Sequence, residues 1–290
     1  MITVRIAGVP EHFNLPWHLA IEDGYFEDRG IDLQWTDVPE GTGKMSKMLR
    51  DDETDIAITL TEGIVKSITE GNPSKIVQTY VQSPLLWGIH VNAKSPFNSV
   101  SDLEGKKVAI SRYGSGSHLM SYVNAQNEGW NPVNLDFEVV NNLKGAIEAL
   151  TNGKADYFLW EHFTTKPIVD KGIFRRIANC PTPWPCFVIA VTNKLLEKEY
   201  IVKHILEVIN IYTSEFKIIP SINRTLANRY GQKIGDIDEW LAITEWSQEC
   251  IDRETMDDVQ QKLLELGMVD EKINYYLKIE SIKTIVFTLF

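Results

Sequence analysis

The segment Ser111 to His118 carries the strongest chemical signal in the chain. It reads Ser-Arg-Tyr-Gly-Ser-Gly-Ser-His, between a strand-like run at Lys107 to Ser111 and a helical stretch at Ser117 to Glu128. The first backbone N–H groups of a helix have no intrahelical partner, so such a junction attracts anions. Gly114 and Gly116 let backbone approach a ligand closely, the Ser115 and Ser117 hydroxyls add donors, and Arg112 supplies fixed charge. This is a cradle for an anion or polar group; the alternative is an ordinary Gly-rich turn with Ser117 as a helix cap. Glu40 to Met45 is built alike around Gly41, Thr42 and Gly43. It is not a Walker A loop, because Val38 stands at the upstream glycine position and Met45 at the Ser/Thr position. The third segment, Val9 to His18, is dense in aromatic and imidazole groups directly after the first strand, and Pro16 suits the first turn of a helix. Strand-to-helix junctions lie at the ligand-binding edge of an α/β sheet, so His12, Asn14 and Trp17 are candidates for ligand contacts.

Catalytic and metal motifs are missing from the sequence. It contains no H-E-x-x-H and no G-x-S-x-G, and Leu119 occupies the third glycine position of G-x-G-x-x-G. Glu161 and His162 are adjacent rather than at i, i+4 metal-ligand spacing, and Asp252, Glu254, Asp257 and Asp258 lack the EF-hand alternation. No cofactor and no metal are expected. The 40 acidic and 29 basic side chains give a net charge of -11. That argues against nucleic acid or an anionic membrane surface, either of which needs clustered Lys and Arg. No run approaches the roughly 20 apolar residues of a membrane span. Met1 leads directly into the strand-like Thr3 to Ala7 rather than into a signal peptide. The expectation is a cytoplasmic protein if the chain is complete as given, or a periplasmic one if a signal peptide has been removed. Cys180, Cys186 and Cys250 form no C-x-x-C pair.

These segments must be positioned by an α/β framework, because strand-like runs alternate with helical stretches through the first two-thirds of the chain. The strands are expected at Thr3 to Ala7, Asp32 to Thr36, Asp55 to Thr59, Lys75 to Val81, Lys107 to Ser111, Leu135 to Val140, Asp156 to Trp160 and Cys186 to Thr192. The first four and last four are related. Ile31 to Trp35 matches Val133 to Phe137 at an offset of 102, while Leu49, Asp55 and Gly71 match Leu150, Asp156 and Gly172 at 101. An ordered set of matches at nearly constant offset points to two similar lobes with mostly parallel sheets. After Asn193 only helices are expected, at Leu195 to Lys217 and Asp252 to Leu266, packed on the first lobe. The lobes are assigned to residues 1–90, 91–187 (inserted) and 188–290 (completing the first lobe). Gly88 to Lys94 and Ile189 to Lys194 are the expected crossings, together forming a two-stranded hinge beside a ligand cleft. Ser281 to Phe290 is apolar and strand-like.

The opening of the chain resembles a known family. Pro16-Trp17, Ala20, Asp23-Gly24-Tyr25-Phe26 and Gly30-Ile31-Asp32-Leu33 are similar to the start of substrate-binding proteins with the type 2 periplasmic-binding fold. The nearest branch serves sulfonate, nitrate and taurine transporters and includes the fungal thiamine-pyrimidine synthases. Ser101 to Ala109 is similar to that family's approach to the second lobe, and Ala149-Leu150, Gly153 and Asp156 to a later segment. The resemblance spans about residues 1–195. It implies a clamp whose jaws are His12 to Trp17, Gly41 to Lys44, Thr59 to Glu62, Ser111 to His118, Trp160 to His162 and Pro181 to Pro185. Thr61, Trp160, Glu161 and Trp184 thereby join the candidates, with the tryptophans suited to stacking on a planar ligand. The synthases' active-site His four residues after a Lys is missing here, as is their cysteine cluster.

The sequence therefore reads as a solute-binding protein that closes on a small polar or anionic organic ligand of sulfonate or pyrimidine type, a planar one among the expected shapes. A transporter permease or a signalling protein is the expected partner. The alternatives are an enzyme of thiamine-pyrimidine or related precursor metabolism on the same fold, and a cytoplasmic ligand sensor. By segment, residues 1–90 carry -7, 91–187 carry +1 and 188–290 carry -5. The Ser111 to His118 cradle thus belongs to the one segment that is not acidic, and local donors outweigh distant, screened charge.

Overall fold

The computed structural model describes residues 1–274, so Ser281 to Phe290 lies outside the described residues. The chain divides into two compact units. Unit 1 comprises Met1–Ser83, Trp184–Ile234 and the chain from Leu241; unit 2 comprises Pro84–Pro183 and Gly235–Trp240.

Unit 1 is built on β1 (Ile2–Gly8), β2 (Ile31–Asp37), β3 (Ile56–Leu60), β4 (Ser74–Val81) and β10 (Phe187–Thr192), in the order β2-β1-β3-β10-β4. Unit 2 is built on β5 (Leu86–Asn92), β6 (Lys107–Ile110), β7 (Asp136–Val139), β8 (Tyr157–Glu161) and β9 (Phe174–Pro181), in the order β7-β6-β8-β5-β9. The two orders are the same when β5 takes the place of β10. In each sheet the first three strands are parallel, and the fourth runs antiparallel to both of its neighbours. The sheets are therefore mixed rather than mostly parallel. The fourth strand in each case is the one with which the chain arrives from the other unit's sequence, and it threads the sheet in the opposite sense.

This placement also moves the expected crossings. Gly88 to Lys94 falls largely in β5 and Ile189 to Lys194 largely in β10, and each of these strands is hydrogen-bonded on both edges within its own sheet. The chain instead passes between units at Ser83–Pro84 and Pro183–Trp184, and again at either end of Gly235–Trp240.

The internal repeat is visible bond by bond. The Arg5 N–H donates to Asp55 Oδ2 at 2.8 Å, and the Lys107 N–H donates to Asp156 Oδ2 at 2.9 Å. The return bonds, Asp55 N–H to Arg5 O and Asp156 N–H to Lys107 O, are 3.0 and 2.8 Å. Each aspartate stands just before its strand and fastens it to the neighbouring parallel strand, β3 to the middle of β1 and β8 to the start of β6.

Helices cover the sheets. Unit 1 carries α1 (Leu15–Glu22), α2 (Thr42–Arg50), α3 (Thr61–Thr69), α7 (Asn193–Leu196), α8 (Glu199–Glu215), α9 (Ile222–Tyr230) and α11 (Arg253–Glu265). Unit 2 carries α4 (Gly116–Asn127), α5 (Leu143–Thr151) and α6 (Lys166–Asp170), while most of α10 (Ile234–Ile243) groups with it. The expected helix from Leu195 is broken into α7 and α8, because the Thr192 hydroxyl caps the first at Leu195 and Lys198 leaves helical geometry. The stripe Ile201, Ile205, Val208, Tyr212 and Phe216 is buried, with α8 against α1 and α11 against α3. That burial is what holds the C-terminal helices on unit 1.

Candidate functional site

In unit 1 the loops that follow β1, β2 and β3 emerge at the carboxyl ends of parallel strands, where α/β sheets bind ligands. Gly41 adopts φ +78° and so turns the chain from β2 into α2, placing Thr42 at the first helical position. The Thr42 hydroxyl accepts the Leu60 N–H at 3.0 Å, joining α2 to the junction of β3 and α3. A Cβ at Gly63 would lie 2.5 Å from Thr42 Cγ2, so the approach of the two helix starts depends on glycine there. Gly43 is exposed on the first turn.

Thr61 opens α3 and is fully buried. Its N–H donates to Cys186 O at 3.1 Å and its hydroxyl to Pro185 O. The next residue, Glu62, is only 2% exposed and accepts the Trp184 indole N–H at 2.9 Å on Oε2. Its second oxygen, Oε1, has no hydrogen-bond partner among the described residues. Burial pushes the Glu62 carboxyl up to about 7, with its own backbone and the Trp184 indole opposing the shift. Trp184, the first residue of unit 1 after the Pro-rich crossing, is thereby fixed to the start of α3.

On the β1 side, His12 to Asn14 form a 3-10 turn. His12 is buried, stacks on Phe13 with ring centroids 4.9 Å apart and meets the edge of Tyr230; burial pushes its imidazole down to about 3. The Tyr80 hydroxyl donates to Phe13 O at 2.8 Å and holds the turn to β4. Asn14 donates from Nδ2 to Val9 O at 2.8 Å, leaving Oδ1 without a described partner. Trp17 is fully buried among Phe26, Trp35 and Tyr80, so its ring faces the core of unit 1.

In unit 2 the loop after β6 is closed largely on itself. The Ser111 N–H donates to Ser117 Oγ at 2.9 Å, and the Ser115 and Ser117 hydroxyls lie 3.1 Å apart. Ser115, not Ser117, is the N-cap of α4, accepting the His118 N–H at 3.3 Å. The Gly114 N–H donates to His118 Nδ1 at 3.1 Å, and burial pushes that imidazole down to about 4. Arg112 and Gly116 are half-buried and Gly114 is exposed. Asn142 caps α5 through Gly145 N–H at 3.0 Å, and the Asn141 N–H binds Ser111 O at 2.9 Å. The two loops are thus tied together at the same strand ends.

At the end of β8, Trp160 is half-buried, stacked on Phe158 at 5.2 Å and edge-on to Trp87 at 6.4 Å. Glu161 is buried, yet backbone N–H groups meet it, Thr164 at 2.6 Å among them. Burial pushes its carboxyl up, and the Thr164 and Phe163 backbone N–H groups oppose that shift.

The fold therefore places His12, Asn14, Gly41, Thr42, Gly43, Thr61 and Trp184 at strand ends of unit 1, and Arg112, Gly114, Ser115, Gly116, Ser117, Trp160 and Glu161 at strand ends of unit 2. Glu62 entered the sequence reading only as the end of the Thr59 to Glu62 jaw and not as a candidate contact, and Tyr80, Asn141 and Asn142 were not singled out. A signal for Glu62 did exist: it lies three residues before Val65, on the buried side of a short helix that begins at a strand end.

Residues 87–180 match the family model described as Ca3427-like PBP. Among solved structures the chain is similar to the Candida albicans CA3427 gene product, which exhibits the generic periplasmic binding protein fold. The identity is 26%, over 97% of this chain and 95% of that one, with a TM-score of 0.86. It is also similar to the alkanesulfonate-binding protein SsuA from Xanthomonas axonopodis pv. citri bound to MOPS, at 15% identity over 96% and 97% of the two chains, TM-score 0.78. The periplasmic aliphatic sulphonate binding protein SsuA from Escherichia coli gives 18% identity over 99% of both chains, TM-score 0.76. No curated protein matches the sequence. Two five-stranded mixed sheets in matching order, together with these likenesses, identify the chain as one with the two-lobed periplasmic-binding-protein fold.

Proposed function

We propose that the protein binds a small polar or anionic organic molecule, planar and of sulfonate or pyrimidine type, as the substrate-binding proteins of ABC-type importers do. The observation that carries this reading is the repeated edge. Each unit ends its first and third strands in loops that open helices, and helix N-termini with Gly, Ser and Thr beside them favour anionic and polar groups. Arg112 and the Gly114 to Ser117 turn take the anionic end of the solute, and His12, Asn14, Thr42 and Thr61 give polar contacts. Trp160 and Trp184 supply shape. Trapping proceeds by hinge closure about the crossing peptides. On either side of these, Thr182 N–H binds Leu85 O at 3.0 Å and Cys186 N–H binds Ser83 O at 3.3 Å, so each linking pair is firm within its own unit. A transporter permease or a signalling protein reads the closed form.

The test is native mass spectrometry of freshly purified protein, followed by thermal-shift measurement with alkanesulfonates, nitrate and pyrimidines. Ligand at 100-fold its Kd adds about 2.7 kcal/mol of stability, well within detection. No adduct and no shift with any of them would remove the reading.

A further inference from the structure

Glu62 differs from the other polar groups at the strand ends. Its counterpart in the internal repeat, at the offset of 101 that relates Asp55 to Asp156, is Phe163, which is 3% exposed. The fold is therefore content with an apolar side chain at this place, and unit 1 puts a carboxyl there. Glu161, the other buried acid at a strand end, is satisfied by backbone N–H groups. Glu62 is met by fewer: besides its own backbone its one donor is the Trp184 indole, and Oε1 keeps no partner among the described residues. Asn14 Oδ1, after the neighbouring strand β1, is a second buried acceptor without a described partner. An unmet acceptor in a water-poor site costs free energy unless something donates to it. Besides burial, the groups acting on the charge of Glu62 are its own backbone and Trp184; among the described residues no Lys, Arg or His and no second carboxylate acts on it.

We infer that Glu62, assisted by Asn14, recognises a nitrogen-bearing hydrogen-bond donor on the solute, a protonated amine or amino-pyrimidine, and so selects solutes that carry one. This rests on the solute-binding reading and adds the second half of the ligand: an anionic or polar end for the helix starts and an N–H end for Glu62. On binding, the carboxyl is the acceptor in a charge-assisted bond. Where it was protonated beforehand, its proton leaves to solvent as the carboxylate pairs with the ligand cation, so binding of a cation strengthens as pH rises.

Matched probes test this by calorimetry: 2-aminoethanesulfonate against ethanesulfonate, and 4-aminopyrimidine against pyrimidine. The nitrogen-bearing member of at least one pair is expected to bind at least about tenfold more tightly, the scale of one hydrogen bond to a charged group. E62Q keeps size and shape but not the charge, so it should weaken the nitrogen-bearing member more than its partner and cut the ratio between them to about threefold or less. Buffers of different ionisation enthalpy should report proton release by wild type and none by E62Q. E62F, which copies the other unit, must still fold, as judged by circular dichroism, and must lose the same preference. Equal binding within both pairs, or an E62Q loss shared equally by both members, overturns the inference and leaves solute binding standing. Failure of all four probes to bind wild type removes the solute-binding reading itself, and this inference with it.

Discussion

Replacing Glu62 by Gln should change how stability depends on pH. The carboxyl is held in the native state at about 7 against an ordinary 4.5, because burial disfavours its charged form. An acid whose native pKa is raised binds more protons folded than unfolded. Its contribution is therefore fully present below about pH 4.5 and is lost as pH rises through about 7. A gap of about 2.5 units at about 1.4 kcal/mol each gives roughly 3 kcal/mol lost between those limits. E62Q has no such proton to lose, so its stability relative to wild type should rise by about that amount from about pH 4.5 to about pH 8. At about 2–4 °C per kcal/mol for domains of this size, the difference in Tm should open by roughly 6–12 °C. Urea or thermal denaturation of both proteins at pH steps across this range measures it. Histidines elsewhere also titrate, but they are common to both proteins and cancel in the difference. A difference that stays flat with pH would show that Glu62 is ionised in the folded protein and would refute the reasoning.

Trp184→Phe removes the indole donor from Glu62 Oε2; a loss of about 1–3 kcal/mol is expected at pH 8, shrinking at pH 5, by the same denaturation series. His90 is buried in unit 2 between Thr165 Oγ1 at 2.8 Å and Phe158 O at 3.3 Å, and desolvation, with Arg176 nearby, pushes it down to about 3. Its share of stability is present above its unfolded pKa of 6.5 and is lost as pH falls below that toward 3, so His90→Gln should flatten the acid limb of the stability curve. Gly145→Ala would place a Cβ 1.9 Å from the Val140 carbonyl oxygen, a backbone atom that cannot move aside. A loss of about 1–3 kcal/mol is expected, seen as a lowered urea midpoint. Asp156→Ala should cost about as much as Asp55→Ala once the latter is corrected for its extra bonds to Arg5, since each ties the corresponding pair of strands in its own unit.

Most strands were legible because a half-buried or buried strand writes its period or its apolar run into the chain, as β1, β2 and β3 do. β9 was not. Phe174-Arg-Arg-Ile-Ala-Asn-Cys-Pro181 carries two arginines and a proline, and its charges are absorbed by partners far away in sequence. Arg175 donates to Asn98 Oδ1 at 2.8 Å and Phe97 O at 2.7 Å, and Arg176 to His162 O at 3.1 Å. β5 was legible as an extended run but not as a strand central in its sheet, since Gly88 and His90 interrupt its apolar pattern. A Cβ at Gly88 would lie 2.5 Å from His90 Cε1, so the glycine makes room for the buried imidazole.

The sequence by itself determined the α/β class, the doubled lobe and the helical C-terminal third, because hydrophobic period, turn residues and an offset repeat are local properties of the chain. It also marked the strand-end loops, whose Gly, Ser and Thr content follows from the turns they make. Tertiary structure decided which polar atoms in those loops are already spent. The Ser111, Ser115 and Ser117 hydroxyls engage one another, Trp17 turns into the core, and Glu62 keeps an oxygen unmet. Hydrogen-bond satisfaction depends on partners brought together from distant positions, as with Glu62 and Trp184, and no spacing rule along one chain records that.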